Sequence, residues 1–367
     1  MGTLRVLFAL TVVLSHSFGN LMVGAKSAVQ LFYMISGFLI SYILTEKTYP
    51  SIQNFYINRY LRLYPIYFVI AFLTFVAFLI YPDTIISEKF FKTYQNAPYS
   101  ANIFILLTNL TIFFQDWTMF TGVENHNIVF VKDFWSSKVP LYPALLVPQG
   151  WTLGVELTFY LLAPFILLKK RILVTLLVFS ILLRIYLNSI GLDKDPWTYR
   201  FFPTELAFFL LGALSQQLLL PSYKKFLSLQ QITNYSNFVT YFLIFITIIF
   251  SIISIEENIK TYAFYIFFLL LMPLTFCFQN GKKWDQWVGD LSYPIYINHM
   301  IVIYIVTFIL QKKIISDKFL TWGLFELNKE IIGTISVFFS IIFAICLNKY
   351  IAIPIEKLRS KYRNRVD

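Results

Sequence analysis

Leu4-Arg5-Val6-Leu7-Phe8-Ala9-Leu10-Thr11-Val12-Val13-Leu14-Ser15-His16 is an apolar run that holds one guanidinium near its start and one imidazole at its end. Wound as a helix, about 20 such residues cross the ~30 Å hydrocarbon core of a bilayer. The run extends over 4–22, and comparable runs follow at 29–45, 64–81, 152–168, 172–190, 203–220, 238–255, 262–278, 291–310 and 331–348. The composition agrees with this reading. Of 367 residues 58% are apolar and only 13% charged, against roughly 25% charged in a soluble domain. So little charge does not cover a water-soluble surface. Gly, Pro and Cys, at 13, 14 and 2 residues, are too sparse for collagen-like, low-complexity or disulfide-framed chains. The expected fold is therefore an all-α, polytopic membrane bundle of about ten transmembrane helices.

The stretch 103–114 has twelve residues, which suits an interfacial or re-entrant segment better than a crossing. Charge supports leaving it out of the count. With ten spans and a cytoplasmic N-terminus, Lys47/Arg59/Arg62, Lys169-Lys170-Arg171, Lys224-Lys225, Lys282-Lys283 and the tail from Lys357 to Arg365 all fall inside. Asp83–Glu88, Asp193–Asp195 and Glu256-Glu257 then fall outside, and both termini are cytoplasmic. Lys312-Lys313 fits poorly in either orientation. The net charge of +11 resides in these short segments between apolar runs, so it points to membrane topology and not to nucleic acid. No small-residue cleavage site follows the first run, which is read as a retained span. Residues 1–350 form the membrane domain, with 82–150 as a cap over the outer face, and 351–367 form a basic cytoplasmic tail. Neither an internal repeat of the transporter kind nor a metal-ligand motif or nucleotide-binding loop is visible.

Ionisable groups inside spans mark function by default. Arg5, Ala9, Val12 and His16 share one helical face, with Arg5 and His16 about 16 Å apart along the axis. This places a cation near the cytoplasmic surface and a titratable ring near mid-membrane. A His suits proton transfer near neutral pH. It equally suits a satisfied structural role, with Arg5 snorkelling to the interface. In the fourth span Thr152, Glu156 and Tyr160 share a face; in the ninth, Ser292, Tyr296 and His299 do. Arg59 and Arg62 are i, i+3 neighbours, a spacing that lets two guanidinium forks grip a phosphate or simply anchors the inner face. His126, in the long outer loop, reads as a solvated residue.

These positions resemble acyltransferase family 3, the multi-pass membrane O-acyltransferases that decorate bacterial surface sugars. The matching pieces are Arg5-x10-His16, Leu31 to Ile40 around Ser36-Gly37, Arg59-x-x-Arg62-x-x-Pro65-x-Tyr67, Trp151 to Pro164, and Ser292-Tyr293 to His299, in the family's order along nearly the whole chain. Asn58 stands where the family often has a second Arg. Thr152 replaces its usual Ser, Leu157 a second acidic residue, and no proline follows Glu356.

The resemblance implies a bacterial cytoplasmic-membrane enzyme that moves an acyl group, acetyl as the expected one, from acetyl-CoA to a hydroxyl of a surface polysaccharide or lipid-linked glycan. No cofactor is bound in this reading. His16 and Glu156 are its catalytic candidates, with His16 as base or as acylated intermediate and Glu156 orienting His16 or contacting the acceptor. Arg5, Arg59 and Arg62 would hold the donor's phosphates, and Trp151, Tyr160, His299 and Ser36 would contact substrate. Without an appended extracytoplasmic domain, the chain would complete the transfer itself or rely on a separate extracytoplasmic partner. The rival reading is a transporter or flippase for a lipid-linked saccharide, with the same polar residues lining its path.

Overall fold

A computed structural model of the chain describes residues 1–46, 48–135, 137–311 and 329–363. Lys47, Lys312-Lys313 and Arg365, which enter the charge argument above, lie outside the described residues. The helices are α1 (Gly2–Ser17), α2 (Ala25–Thr45), α3 (Ile52–Ile80), α4 (Ile85–Asn96), α5 (Tyr99–Thr111), α6 (Trp151–Ile166), α7 (Lys170–Ser189), α8 (Phe202–Leu214) and α9 (Leu220–Phe226). They continue as α10 (Leu229–Ile249), α11 (Glu257–Gly281), α12 (Lys283–Asp290), α13 (Ser292–Gln311), α14 (Lys329–Leu347) and α15 (Ile353–Arg359). Among the described residues, eight helical segments are long and apolar enough to cross a membrane, so this is a multi-pass integral membrane protein. The other two expected spans are α1 and α6, each of 16 residues and so about 24 Å long.

Several local readings change. α1 ends at Ser17, so His16 occupies its last turn and not the middle of a longer span. Arg59 and Arg62 lie within the 29-residue α3 and not in a loop before it. The short apolar stretch is the 13-residue α5. An antiparallel hairpin, β1 (Thr121–Glu124) and β2 (Asn127–Phe130), interrupts the otherwise helical chain. After α14 a π turn at Asn348–Ala352 leads into α15, and a 3-10 turn follows at Ser360–Tyr362, so the start of the basic tail is helical.

The chain packs as two units, one of Met1–Ile35 with Leu214–Leu358, the other of Ser36–Ala213 with the chain from Arg359 onward. In the first unit α1 packs on α12, α13 and α14. A helix leaves its first backbone N–H groups unpaired, and Asp285 of α12 answers this for α1. Its carboxylate accepts from the backbone N–H groups of Gly2 and Thr3, both at 2.8 Å, from Thr3 Oγ1 at 2.6 Å, and from the Met1 ammonium at 3.2 Å. One turn along α12, a β-carbon at Gly289 would stand 2.8 Å from Gly2 Cα and 3.6 Å from an Arg5 Nη1. The small residue thus lets α1 and its guanidinium approach.

In the second unit Gly37 of α2 has a comparable role, since a β-carbon there would meet the Phe209 carbonyl of α8 at 1.9 Å. The Phe159 and Phe209 rings stack beside it with centroids 4.2 Å apart. Arg184 of α7 pairs with the fully buried Glu205 of α8 and donates to the Thr198 and Thr204 carbonyls. The segment between α5 and α6 folds back so that Asp116 Oδ1 faces Gly154 of α6, 2.9 Å from where its β-carbon would be. This Oδ1 is buried without a hydrogen-bond partner among the described residues.

Burial pushes the Asp116 carboxyl up from its ordinary 3.8 to about 7, against two backbone N–H groups that pull it down. Between those pH values the folded protein holds a proton that the unfolded chain has released. The fold therefore loses stability as pH rises from about 4 through about 7. Asp116→Asn removes the ionisation. Thermal unfolding of the purified protein is expected to show the variant more stable than wild type at pH 8, with the gap closing toward pH 4.

Candidate active site

In the first unit, two of the sequence-chosen histidines meet. The His16 ring, exposed at the end of α1, lies against the fully buried His299 ring of α13, with centroids 5.2 Å apart and planes at 28°. His299 Nδ1 is 2.5 Å from the Tyr296 carbonyl oxygen. A ring nitrogen bonded to a carbonyl oxygen must carry the proton, so Nδ1–H donates there. The bond fixes the ring, and its Nε2 is buried without a partner among the described residues. Ser292 closes the start of α13 by donating to the Gly289 carbonyl at 2.7 Å. Arg5 lies at the other end of α1, beside that same Gly289 and 8% exposed. One helix thus carries a buried cation at its start and an accessible imidazole in its last turn.

In the second unit the helical face read from sequence brings Glu156 and Tyr160 together. The Tyr160 hydroxyl and the Ser36 hydroxyl both donate to Glu156 Oε1. Ser36 reaches α6 because its neighbour Gly37 lets α2 pack directly on α8. Most of the first ten residues of α6 are buried, whereas Glu156 is half-exposed. Such a carboxylate costs several kcal/mol in apolar surroundings unless its oxygens are bonded. Two hydroxyls on one oxygen supply that bonding.

The Tyr160 ring also forms one wall of a cage around Arg59. The Arg59 guanidinium carbon lies 5.9 Å from the Tyr49 ring centroid, 5.8 Å from Phe55 and 5.9 Å from Tyr160. Arg59 Nη2 donates to Tyr49 Oη at 2.7 Å and to Asn58 Oδ1 at 2.8 Å. The expected Arg59–Arg62 fork is therefore uneven: Arg59 is buried among rings, and Arg62 is half-buried at the next turn.

Trp151 belongs to a different group. It is buried beneath the Arg200 guanidinium, 4.4 Å from its ring centroid, and its edge meets Tyr199. Asp195 holds Arg200 through two bonds of 2.7 and 2.9 Å. Arg200 and Asp195 were missed because a loop has no periodicity to mark a pair. The Arg184–Glu205 pair was missed for a related reason: its partners lie on different helices. Among the described residues, no group of three or more His, Cys, Asp or Glu side chains is placed to hold a metal ion.

Polar side chains held in fixed pairs within an apolar helical bundle fit a membrane enzyme. Residues 2–350 match the acyltransferase domain of the acyltransferase 3 family, nearly the whole chain, and the protein belongs to that family. It is thus an acyl-transferring, multi-pass membrane enzyme. An uncharacterized protein of Aquifex aeolicus (strain VF5) is 26% identical over 183 residues, which is 49% of this chain and 80% of that protein. No solved structure matches.

The Ser36–Glu156–Tyr160 group generates a graded expectation. Glu156→Gln removes the charge that both hydroxyls serve and is expected to lower kcat of acyl transfer by at least about 100-fold. Ser36→Ala leaves the Tyr160 bond in place and is expected to cost about tenfold. Turnover in proteoliposomes, with KM measured separately, checks the order, and equal losses for the two variants would contradict it.

Proposed function

We propose that the enzyme takes an acyl group, acetyl in the first instance, from acetyl-CoA. It esterifies a hydroxyl of a surface polysaccharide or lipid-linked glycan in a bacterial cytoplasmic membrane. The observation that carries this reading is the exposed His16 imidazole set against the anchored His299 ring. An accessible imidazole held in one orientation can remove a hydroxyl proton as the oxygen attacks. The sugar oxygen adds to the thioester carbonyl and the carbon–sulfur bond breaks. The proton passes from the hydroxyl through His16 to the departing thiolate. His299 is a positioning residue, since its own Nδ1 is committed to Tyr296.

Glu156 is assigned to the acceptor. Its Oε1 is occupied by Ser36 and Tyr160, which leaves Oε2 to accept from a sugar hydroxyl. Tyr160 also lines the Arg59 cage and is assigned to the support of both groups. Arg59 and Arg62 are assigned to the phosphates of the donor. Arg5 is assigned as a cation for an anionic group, on the helix that bears His16. Trp151 packs under Arg200, so its contribution to the acceptor passes through that guanidinium. Family membership supports acyl transfer itself. The choice of acetyl-CoA and of a glycan rests on the sequence resemblance and on these side chains.

His16→Ala is expected to abolish glycan acetylation while leaving the protein at wild-type level in the membrane. Mass spectrometry of surface glycans checks the first and immunoblotting of membranes the second. Acetyl-sized increments that persist in the variant would remove His16 from catalysis.

A further inference from the structure

Asn58, fully buried in α3, is the meeting point of three donors on its side-chain oxygen. Oδ1 accepts from Tyr49 Oη at 2.9 Å, Arg59 Nη2 at 2.8 Å and Arg359 Nη2 at 3.0 Å. The last donor comes from the far end of the chain. It is locked in place because Asn58 Nδ2 donates to the Arg359 carbonyl at 3.1 Å and Arg359 Nε donates to the Asn58 carbonyl at 3.3 Å. Two guanidinium nitrogens bonded to one oxygen stand within about 6 Å of each other, where like charges repel. The oxygen between them is a neutral amide. Arg59, only 5% exposed, also buries its Nε without a hydrogen-bond partner among the described residues. Two cations and a hydroxyl converging on one point form the donor set that binds an anionic oxygen, and planar guanidinium forks match phosphate best. Arg359 is half-buried, so this edge of the group meets the surface, and an anion would enter as the Asn58 side chain turns away.

We infer that Arg59, Tyr49 and the tail-borne Arg359 form a phosphate-binding site, with Asn58 Oδ1 standing where a phosphate oxygen binds. No spacing in the sequence announces it, because Asn58 and Arg359 are 301 positions apart. The phosphate has two chemical sources, the acyl donor or the headgroup of an anionic lipid. Assignment to the donor rests on the acyl-transfer reading above; phosphate binding as such does not. With the donor bound, Arg359 at the end of α15 becomes part of the donor site and acts as a specificity element for phosphorylated carriers.

The test uses the full chain in phosphatidylcholine nanodiscs, with coenzyme A titrated by calorimetry. In parallel, phosphatidylglycerol that co-purifies with the protein is quantified. Arg359→Gln removes one cation. Asn58→Asp places a carboxylate between the two guanidinium groups, which should raise the thermal midpoint while blocking the anion. Both variants are expected to weaken coenzyme A binding by about tenfold or more. A purely structural contact would instead leave binding untouched in the more stable Asn58→Asp protein. Unchanged coenzyme A affinity with loss of bound phosphatidylglycerol in both variants would keep the site and assign it to a lipid headgroup. No change in either ligand overturns the proposal. Binding lost in the variants, with a wild-type protein that moves no acetyl group from acetyl-CoA, would uphold the site and reject the acetyl-CoA reading.

Discussion

A carboxylate or guanidinium placed among apolar helices is tolerated only when neighbouring groups replace the water it has lost. Glu156 meets this requirement with the Ser36 and Tyr160 hydroxyls, and Glu205 with Arg184. Arg59 meets it with Tyr49, Asn58 and three aromatic faces. Each solution fixes a second helix against the first: Ser36 ties α2 to α6, and Glu205 ties α8 to α7. The polar groups therefore organise the packing. Gly37 shows the steric side of the same constraint, since only a residue without a β-carbon lets α2 lie on the α8 backbone and deliver Ser36 to Glu156.

The ionisable groups differ in how they are anchored and how far they are exposed. His299 is buried and its Nδ1 is committed to a carbonyl, whereas His16 is exposed. Asp285 spends its carboxylate on the start of α1 and belongs to the scaffold. Arg200, held by Asp195, lies over Trp151 and belongs to the loop side of α6. Among these groups, His16 is the exposed ring and Glu156 the half-exposed carboxylate. That distinction favours acyl-transfer chemistry over a passage that only conducts a polar cargo.

Much of the architecture was legible because bilayer thickness sets helix length and because helical spacing is regular. The long apolar runs became helices, the twelve-residue stretch became a short one, and the shared face of Glu156 and Tyr160 became a hydrogen bond. Periodicity misplaced what depends on helix ends. His16 reads as mid-span only if α1 continues beyond Ser17, and Arg59 reads as a loop residue only if α3 begins after it. Contacts between distant segments had no local signal at all. Asn58 with Arg359, Asp285 with Gly2 and Thr3, and Asp116 against Gly154 all depend on how helices pack. The β1–β2 hairpin also had no place in that reading, since its eight residues lie in the stretch read as a cap over the outer face.

The most direct test of the central claim follows the acyl group itself. Purified enzyme in proteoliposomes, given radiolabelled acetyl-CoA and a lipid-linked glycan, should place the label on the glycan as an ester released by mild base. A glycan that crosses the bilayer chemically unaltered, with the label still on coenzyme A, would contradict the account.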